Sequence, residues 1–328
     1  MNHEPGPKRV LDLDPRTYRR HAIHGQERIW AETNCYVDVW IELAHALGHE
    51  PVAALPFTLA IDFEGDQWTF FKFPLLDLYD LFGLDVQELA LWRPLVAHLE
   101  EQAGRGRPVL VELDSFYLPD TVGTAYKLAH VKSTVAVIEI DTEHRRLGYF
   151  HNQGYYQLEG DDFLDVLRLR EPQDPAMLPP YAEFVKLREA PQTGDSLLAT
   201  SLRLLKKHLA LVPAENPFVA FKARFERDLS GLLRESIETF HQYSFATLRQ
   251  YGACYELSAT YLEWLAAQGE EGLEDAIRAF RELSEAAKAF QFQLARAMAR
   301  KKPLDLAPLD AMAERWERGI GGLKARYA

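Results

Sequence analysis

The strongest constraint on the fold of this chain is that its strand signals stop well before its end. The first part mixes helical spacing with apolar, β-branched runs, whereas the last 130 or so residues carry helical spacing almost throughout. A stretch with five prolines, Glu171 to Asp195, separates the two parts. We therefore predict an α+β domain over residues 1–190 and an all-α helical bundle over residues 191–328.

The first part predicts a helix followed by a sheet. A stripe of Tyr36, Trp40, Leu43 and Leu47 indicates a helix that ends at Gly48. The later segments are read as follows: a hairpin in "PVAALPFTLAIDF" and "QWTFFKF", helices in "LLDLYDLFG" and "DVQELALWRPLVAHLEEQAG", a buried strand in "RPVLVELDSFYLPD", a long hairpin in "HVKSTVAVIEID" and "LGYFHNQGYYQLEG", and an edge strand in "YAEFVKL".

The second part predicts about five helices whose aromatic residues form a bundle core. The segments are Ser196 to Leu211, Pro217 to Leu232, Arg234 to Gln268 with a break near Gly252, Leu273 to Lys301, and Leu309 to Lys324.

Charge and composition exclude several classes of protein. The 37 Lys and Arg residues face 49 Asp and Glu residues, a net charge of −12, so the chain has no basic field to attract nucleic acid or an anionic membrane. No apolar run reaches the roughly 18 residues that span a bilayer, and the N-terminus has no apolar signal core. We expect a cytoplasmic protein. Its two cysteines lie too far apart in sequence to suggest a disulfide framework.

Cys35 is placed where a thiol becomes reactive. It follows Thr33 and Asn34, two residues that commonly cap helices, and it begins the predicted helix. The positive end of a helix and a nearby imidazolium both lower the pKa of a thiol. Cys254, in the middle of a predicted helix, has neither device and is expected to be a core residue.

His130 is the best candidate for that imidazole because it stands at the entrance of a predicted strand. The returning strand brings Asn152 back towards it, and Asn152 could accept the other ring N–H. Asp114 and Asp120 are the alternatives to Asn152 as the residue that orients the imidazole.

The segments "NCYVDVW", "GRPVLVELDSFYLPD", "HVKSTVAVIEID" and "LGYFHNQGYYQLEG" resemble the bacterial family called domain of unknown function 1839, along nearly the whole chain. Residues from about Thr33 to Glu159 are also similar to the butirosin-biosynthesis acyltransferase group. That second resemblance implies a papain-like (cysteine-peptidase-type) fold. It also implies transfer of an acyl or aminoacyl group from a carrier-protein phosphopantetheine thioester to an amine.

These resemblances favour an enzyme with a catalytic triad of Cys35, His130 and Asn152 and with no bound cofactor. Papain-like enzymes carry a glutamine six residues before the cysteine, but Ile29 stands there in this chain, so Asn34 or Gln26 would help the Cys35 N–H to hold an oxyanion. Asp114, Tyr117, Asp120 and Trp68 are candidates to line the substrate channel, and a place in the core is an equal alternative for Tyr117 and Trp68.

Two other functions fit the same residues. A cysteine hydrolase, peptidase or amidase would use the same triad with water as acceptor, and a catalytically inactive binding protein would keep Cys35 buried. A metal site is disfavoured because His21 with His24, and His144 with His151, lack a third ligand at a usual spacing.

Two basic clusters stand out from the acidic whole, and they could dock an acidic carrier protein. Their residues are Arg203, Lys206, Lys207, Arg296, Arg300 and Lys301.

Overall fold

The computed structural model describes residues 6–170, 179–188 and 191–327 and shows an α+β protein. Part of the proline-rich stretch, including residues 171–178, lies outside the described residues, as does the predicted boundary at residue 190. The strands are β1 Lys8–Arg9, β2 Leu84–Glu88, β3 Val109–Asp114, β4 Lys132–Asp141, β5 Arg146–His151, β6 Gly154–Glu159 and β7 Ala182–Leu187. The helices are α1 Cys35–Ala46, α2 Leu75–Phe82, α3 Leu95–Gly104, α4 Asp161–Val166, α5 Gly194–Leu209, α6 Pro217–Leu232, α7 Ile237–Ala246, α8 Leu248–Ala267, α9 Glu274–Arg300 and α10 Ala307–Tyr327.

The described residues form two compact units whose chain segments alternate. Unit 1 combines Met1–Gly25, Asn34–His49 and Leu78–Pro191. Unit 2 combines Gln26–Thr33, Glu50–Asp77 and Gln192–Ala328. Two early segments therefore belong to the same unit as the C-terminal helices, so neither unit is one continuous piece of the sequence.

The sheet of unit 1 has the strand order β2-β7-β3-β4-β5-β6, with β1 beside β4, and every pairing is antiparallel. Helix α1 packs against β4 and β5. Strand β7 lies between β2 and β3, so the prediction that "YAEFVKL" forms an edge strand is wrong. The prediction missed its partner β2, because residues 85–88 were read as the start of a helix. In the structure, residues 84–88 form a strand that is paired along its whole length with β7.

The hairpin predicted around residues 51–73 is also wrong. Residues Pro51–Ala60 form a 3-10 helix, and only an isolated bridge joins Phe63 to Trp68. Proline has no N–H to donate to a strand partner, and Pro51 and Pro56 both lie in this segment. The segment is apolar because nearly all of it is buried in unit 2, not because it alternates between two sheet faces.

The segment Gln26–Thr33 is held to the helices of unit 2 by Glu256 and Trp30. The Glu256 carboxylate accepts the backbone N–H groups of Ile29 at 2.7 Å and Trp30 at 3.1 Å. The Trp30 ring is fully buried, and its Nε1 donates to Ser284 Oγ at 2.9 Å. It lies directly against the backbone of Gly252, where a Cβ atom would be 2.4 Å from the ring.

The helices of unit 2 follow the predicted segments with one shift. The long third segment breaks at Thr247, between α7 and α8, and not near Gly252. Gly252 does not end a helix but lies inside α8. The absence of a side chain at this position makes room for the Trp30 ring. None of the helices in the described residues combines the length and apolarity needed to cross a membrane.

Candidate functional site

His130 and Asp114 form a hydrogen-bonded pair at one end of the sheet. Asp114 is the last residue of β3, and its Oδ1 accepts the N–H of Phe116 at 3.0 Å as the cap of a 3-10 turn. Its Oδ2 is 2.6 Å from His130 Nδ1. The imidazole also stacks on the Phe116 ring, with centroids 4.4 Å apart. One carboxylate thus orders both the turn and the imidazole.

The His130 side chain is two-thirds exposed, and within the described residues its Nε2 makes no hydrogen bond. Because the carboxylate accepts from Nδ1–H, a neutral His130 presents Nε2 as a proton acceptor. This is the arrangement of a general base that is oriented by a second group. The residue that orients His130 is Asp114, which the sequence offered only as an alternative to Asn152.

His130 and Asp114 open into a cavity of about 520 Å³. This volume lies in the range of small-molecule sites, which is roughly 300–1,000 Å³. The wall is largely apolar, with several charged side chains. The residues are Leu91, Arg93, Pro94, Leu95, Glu112, Leu113, Tyr117, Leu164, Asp165, Val166, Leu167, Arg168, Arg170, Pro179 and Pro180, together with the pair. The predicted lining residue Tyr117 is therefore part of a cavity wall.

Cys35 begins α1, as the sequence predicts, and it is partly exposed. Asn34 caps the helix: its side-chain oxygen accepts the N–H of Val37 at 3.1 Å. In the part of the chain that the structure describes, the Cys35 sulfur makes no hydrogen bond, and Cys35 is not among the residues that line the cavity. The structure does not bring Cys35 and His130 into hydrogen-bond contact.

Asn152 lies in the two-residue turn between β5 and β6, with a positive φ of 46°. Asparagine tolerates this left-handed conformation better than most residues, which explains its place in the turn. Within the described residues Asn152 does not bond to His130, whose partner is Asp114. Asp120, the other alternative to Asn152, is hydrogen-bonded to a different histidine.

That second histidine is His151, for which the sequence suggested only the role of a metal ligand. Its Nδ1 is 2.5 Å from Asp120 Oδ2, and its Nε2 is 2.6 Å from Ser133 Oγ. Tyr149 donates to the other oxygen of Asp120 at 2.5 Å. Burial raises the pKa of the Tyr149 hydroxyl, and the charge of Asp120 raises it further, so Tyr149 stays a hydrogen-bond donor. The signal available in the sequence was Ser133, a polar residue two positions before Val135 and four before Val137, where strand alternation places it on the same sheet face as these valines.

The Ser133, His151 and Asp120 side chains have the connectivity of a serine-protease triad, but they are enclosed. Ser133 is 8% exposed and His151 is 1% exposed. The network joins β4 and β5 to the loop between β3 and β4, and it satisfies polar groups on an apolar sheet face. It fits a structural role, whereas His130 opens to solvent.

A third histidine cluster lies against the middle of α1. The fully buried His24 ring contacts Glu42 through Nδ1 and Asp38 through Nε2, and Glu42 also accepts from Tyr18 at 2.5 Å. Burial raises the pKa of Tyr18, as does the charge of Glu42. Among residues 6–170, 179–188 and 191–327, no three His, Cys, Asp or Glu side chains are grouped so that they could hold a metal ion.

The remaining predicted site residues lie in unit 2. Trp68 is 2% exposed and packs against Phe218, Phe221 and Tyr251, so it is a core residue of unit 2 and does not line the cavity. Its placement followed from the wrong hairpin prediction. Gln26 is exposed and belongs to the segment held by Glu256.

The basic residues proposed for docking are exposed on α5, on α9 and at the residue after α9. Lys207 pairs with buried Asp77 at 2.5 Å, and Lys301 donates to the carbonyl of Glu235 at 2.9 Å, so these two lysines have structural partners.

These observations define an α+β protein with a helical C-terminal region and a histidine–carboxylate pair in an open cavity. Family models for the DUF1839 N-terminal domain and the DUF1839 C-terminal domain match residues 19–187 and 194–325. The chain therefore belongs to the DUF1839 family. A search of curated proteins finds no match.

Proposed function

We propose that this protein is a thiol-dependent acyl or aminoacyl transferase with a papain-like catalytic domain. The observation that carries the proposal is the His130–Asp114 pair, with a 2.6 Å hydrogen bond and an imidazole open to a cavity of about 520 Å³. Cys35, partly exposed at the start of α1, supplies the nucleophile. A carrier-protein thioester is proposed as the donor only because sequence motifs between about Thr33 and Glu159 resemble those of the butirosin-biosynthesis acyltransferase group.

The first half-reaction requires Cys35 and His130 to come within hydrogen-bond reach of each other, a contact that the described structure does not contain. His130 then takes the proton of the Cys35 thiol, and the thiolate attacks the thioester carbonyl carbon. The tetrahedral intermediate collapses when the bond to the carrier's sulfur breaks. That thiol leaves with the proton from His130. Backbone N–H groups at the start of a helix are available to hold the oxyanion, and Cys35 is the first residue of α1.

In the second half-reaction, an amine attacks the acyl-cysteine and gives its proton to His130. The bond to the Cys35 sulfur then breaks, the sulfur takes the proton from His130, and the product is an amide. Asp114 fixes the tautomer of His130 and stabilises the imidazolium in both steps, as the carboxylate of a catalytic triad does. This role belongs to Asp114 rather than to Asn152, because Asp114 holds the hydrogen bond.

Alkylation tests the nucleophile first. With iodoacetamide on the native protein, Cys35 should be labelled in preference to Cys254, which is fully buried and whose thiol pKa is raised by that burial. Labelling of Cys35 at neutral pH should fall in His130→Ala. A matched control is His144→Ala, since His144 is equally exposed and pairs with Asp141 at 2.9 Å away from the cavity. Equal loss in both variants would contradict a specific role for His130.

Mass spectrometry of the intact protein tests the transfer itself. Incubation with an aminoacyl or acyl carrier protein should add the acyl mass to Cys35, and Cys35→Ser should form no thioester adduct. Adding an amine should then release an amide. Release of the free acid without amide would identify a hydrolase instead.

A non-catalytic binding protein is the second candidate. It is favoured by the position of Cys35, whose sulfur makes no hydrogen bond among the described residues and which does not line the cavity. This candidate predicts that Cys35 is alkylated no faster than a free thiol, and that the rate does not change in His130→Ala.

Carrier docking is proposed for the basic residues of α5 and α9. Lys206, Arg296 and Arg300 are exposed and match the acidic surface expected of a carrier. Arg296→Glu with Arg300→Glu should raise KM for the carrier-bound substrate, while KM for a small-molecule thioester stays unchanged. Equal KM changes for both substrates would rule out a docking role.

A further inference from the structure

The wall of the His130 cavity is divided by chemistry. Its apolar part includes Leu91, Leu95 and Leu113, of which Leu95 and Leu113 are buried. Its charged part carries Arg93, Arg168 and Arg170, although the protein as a whole has a net charge of −12. The cavity therefore places cationic side chains beside a bound ligand, although the protein as a whole is acidic.

The acidic residues of the wall are already paired. Glu112 bonds to Lys132 at 2.8 Å, and Asp114 bonds to His130 at 2.6 Å. Asp165 bonds to Arg170 at 2.5 Å. These carboxylates are therefore occupied by other basic side chains, and none of them is paired with Arg93.

Arg93 has no acidic partner in the described part of the chain. It is exposed, and its guanidinium carbon lies 5.0 Å from the centroid of the Trp92 ring, which is itself 80% exposed. The same structure pairs other arginines with carboxylates, as Arg105 is paired with Glu101 on α3. A guanidinium that lines an apolar cavity and has no carboxylate partner is free to bind an anionic group of a ligand.

We propose that this cavity binds an anionic amphiphile, with an aliphatic body against the leucines and a carboxylate or phosphate head near Arg93. The inference deepens the proposed function, since it gives the acyl substrate an aliphatic chain with an anionic group. Binding itself needs neither Cys35 nor turnover.

Isothermal titration calorimetry with the Cys35→Ser protein tests binding apart from catalysis. The probes are octanoate, octyl phosphate and octanol, which share the chain and differ in the head group. Octanoate or octyl phosphate should bind at least about five-fold more tightly than octanol, which is the factor given by an interaction of about 1 kcal/mol near the surface. The tighter of the two anions identifies the head group as a carboxylate or a phosphate.

Two variants locate the site. Arg93→Gln should remove the advantage of the anionic probe over octanol, whereas the control Arg105→Gln, at the residue that follows α3 and outside the cavity, should keep it. Leu91→Trp should weaken all binding by filling the cavity, and circular dichroism should show that it remains folded. The proposal is overturned if octanol binds as well as the anions, if none of the probes binds, or if Arg105→Gln lowers anion affinity as much as Arg93→Gln.

These outcomes separate the two proposals. Loss of the anion preference with intact acylation of Cys35 would refute only the amphiphile site. Anion binding with an inert Cys35 would refute only the transferase.

Discussion

Replacing Gly252 with alanine should destabilise unit 2, although alanine is the better helix former. The new Cβ would lie 2.4 Å from Cε2 and Cζ2 of Trp30 and 2.9 Å from its Nε1. Trp30 has no room to move, since it is fully buried and bonded to Ser284 Oγ, which in turn donates to the Gly252 carbonyl at 2.8 Å. Overpacking of this kind costs about 1–3 kcal/mol.

Two further effects change the stability of the Gly252→Ala variant in opposite directions. Displacing the ring weakens the hydrogen bond to Ser284, which costs about 1 kcal/mol. Alanine in a helix interior gains about 1 kcal/mol over glycine. Because these two effects offset each other, the free energy of unfolding should fall by about 1–3 kcal/mol in Gly252→Ala.

A matched control separates packing from helix propensity. Gly321 also lies in a helix of unit 2, but it is exposed, and a Cβ there would meet no atom within 4 Å. Gly321→Ala should therefore stabilise the protein by about 0.5–1 kcal/mol. Urea unfolding followed by far-ultraviolet circular dichroism measures both variants against the wild type. An unfolding midpoint for Gly252→Ala at or above that of the wild type would refute the packing of Trp30 against Gly252.

Two other predictions concern buried polar contacts. Burial would raise the pKa of Asp77, but hydrogen bonds from His208 and Lys207 more than offset it and leave the pKa below its ordinary value. This carboxylate therefore contributes stability above about pH 4, and the contribution is lost as the pH falls below that value. Asp77→Asn should cost about 1–3 kcal/mol at pH 7 and clearly less at pH 3, measured by urea unfolding; an equal cost at both pH values would contradict this. Ser133→Ala should cost about 1–3 kcal/mol, because buried His151 loses a 2.6 Å partner, and it should leave acyl transfer intact; loss of transfer in a protein of unchanged stability would instead make Ser133 a catalytic residue.

The sequence predicted best where one physical signal decides the structure. Asn34 before an apolar stripe located the start of α1, because the cap and the periodicity agree. The long helices of unit 2 follow from their spacing for the same reason. Residues 51–60 were mistaken for a strand because a fully buried segment has no alternation, and a continuous apolar run alone does not distinguish a strand from a helical segment.

The interleaving of the two units could not be read from local patterns. The segment around Trp30 belongs with the C-terminal helices because of contacts that span more than 220 residues, to Glu256 and Ser284. Helix caps, hydrophobic periodicity and proline positions are local signals, and they do not predict a contact between residues so far apart in the sequence. Gly252 was read as a helix break for a related reason: its meaning depends on a ring that lies far away in the sequence.

In the candidate site too, local sequence patterns did not predict which side chains contact each other. Hairpin pairing was expected to bring Asn152 to His130, but strand register fixes only which backbones are neighbours. The loop after β3 decides the partner, because its first turn is capped by Asp114, and the same carboxylate reaches the imidazole. A turn-capping aspartate is common, and nothing in its sequence context marks a second role.

Exposure distinguishes two histidine–carboxylate pairs that are otherwise alike. His130 with Asp114 and His151 with Asp120 have nearly equal hydrogen bonds, 2.6 and 2.5 Å, and both join a loop to a strand end. His151 already has Ser133 on its second nitrogen and is 1% exposed, so a substrate would have to displace a made hydrogen bond and open an apolar sheet face. The side chain of His130 is 67% exposed and faces a cavity, so a substrate proton can reach its second nitrogen without either cost. Hydrogen-bond geometry alone would favour the buried triad of Ser133, His151 and Asp120. Because a substrate could reach that triad only at a free-energy cost, we assign the proton transfer to His130.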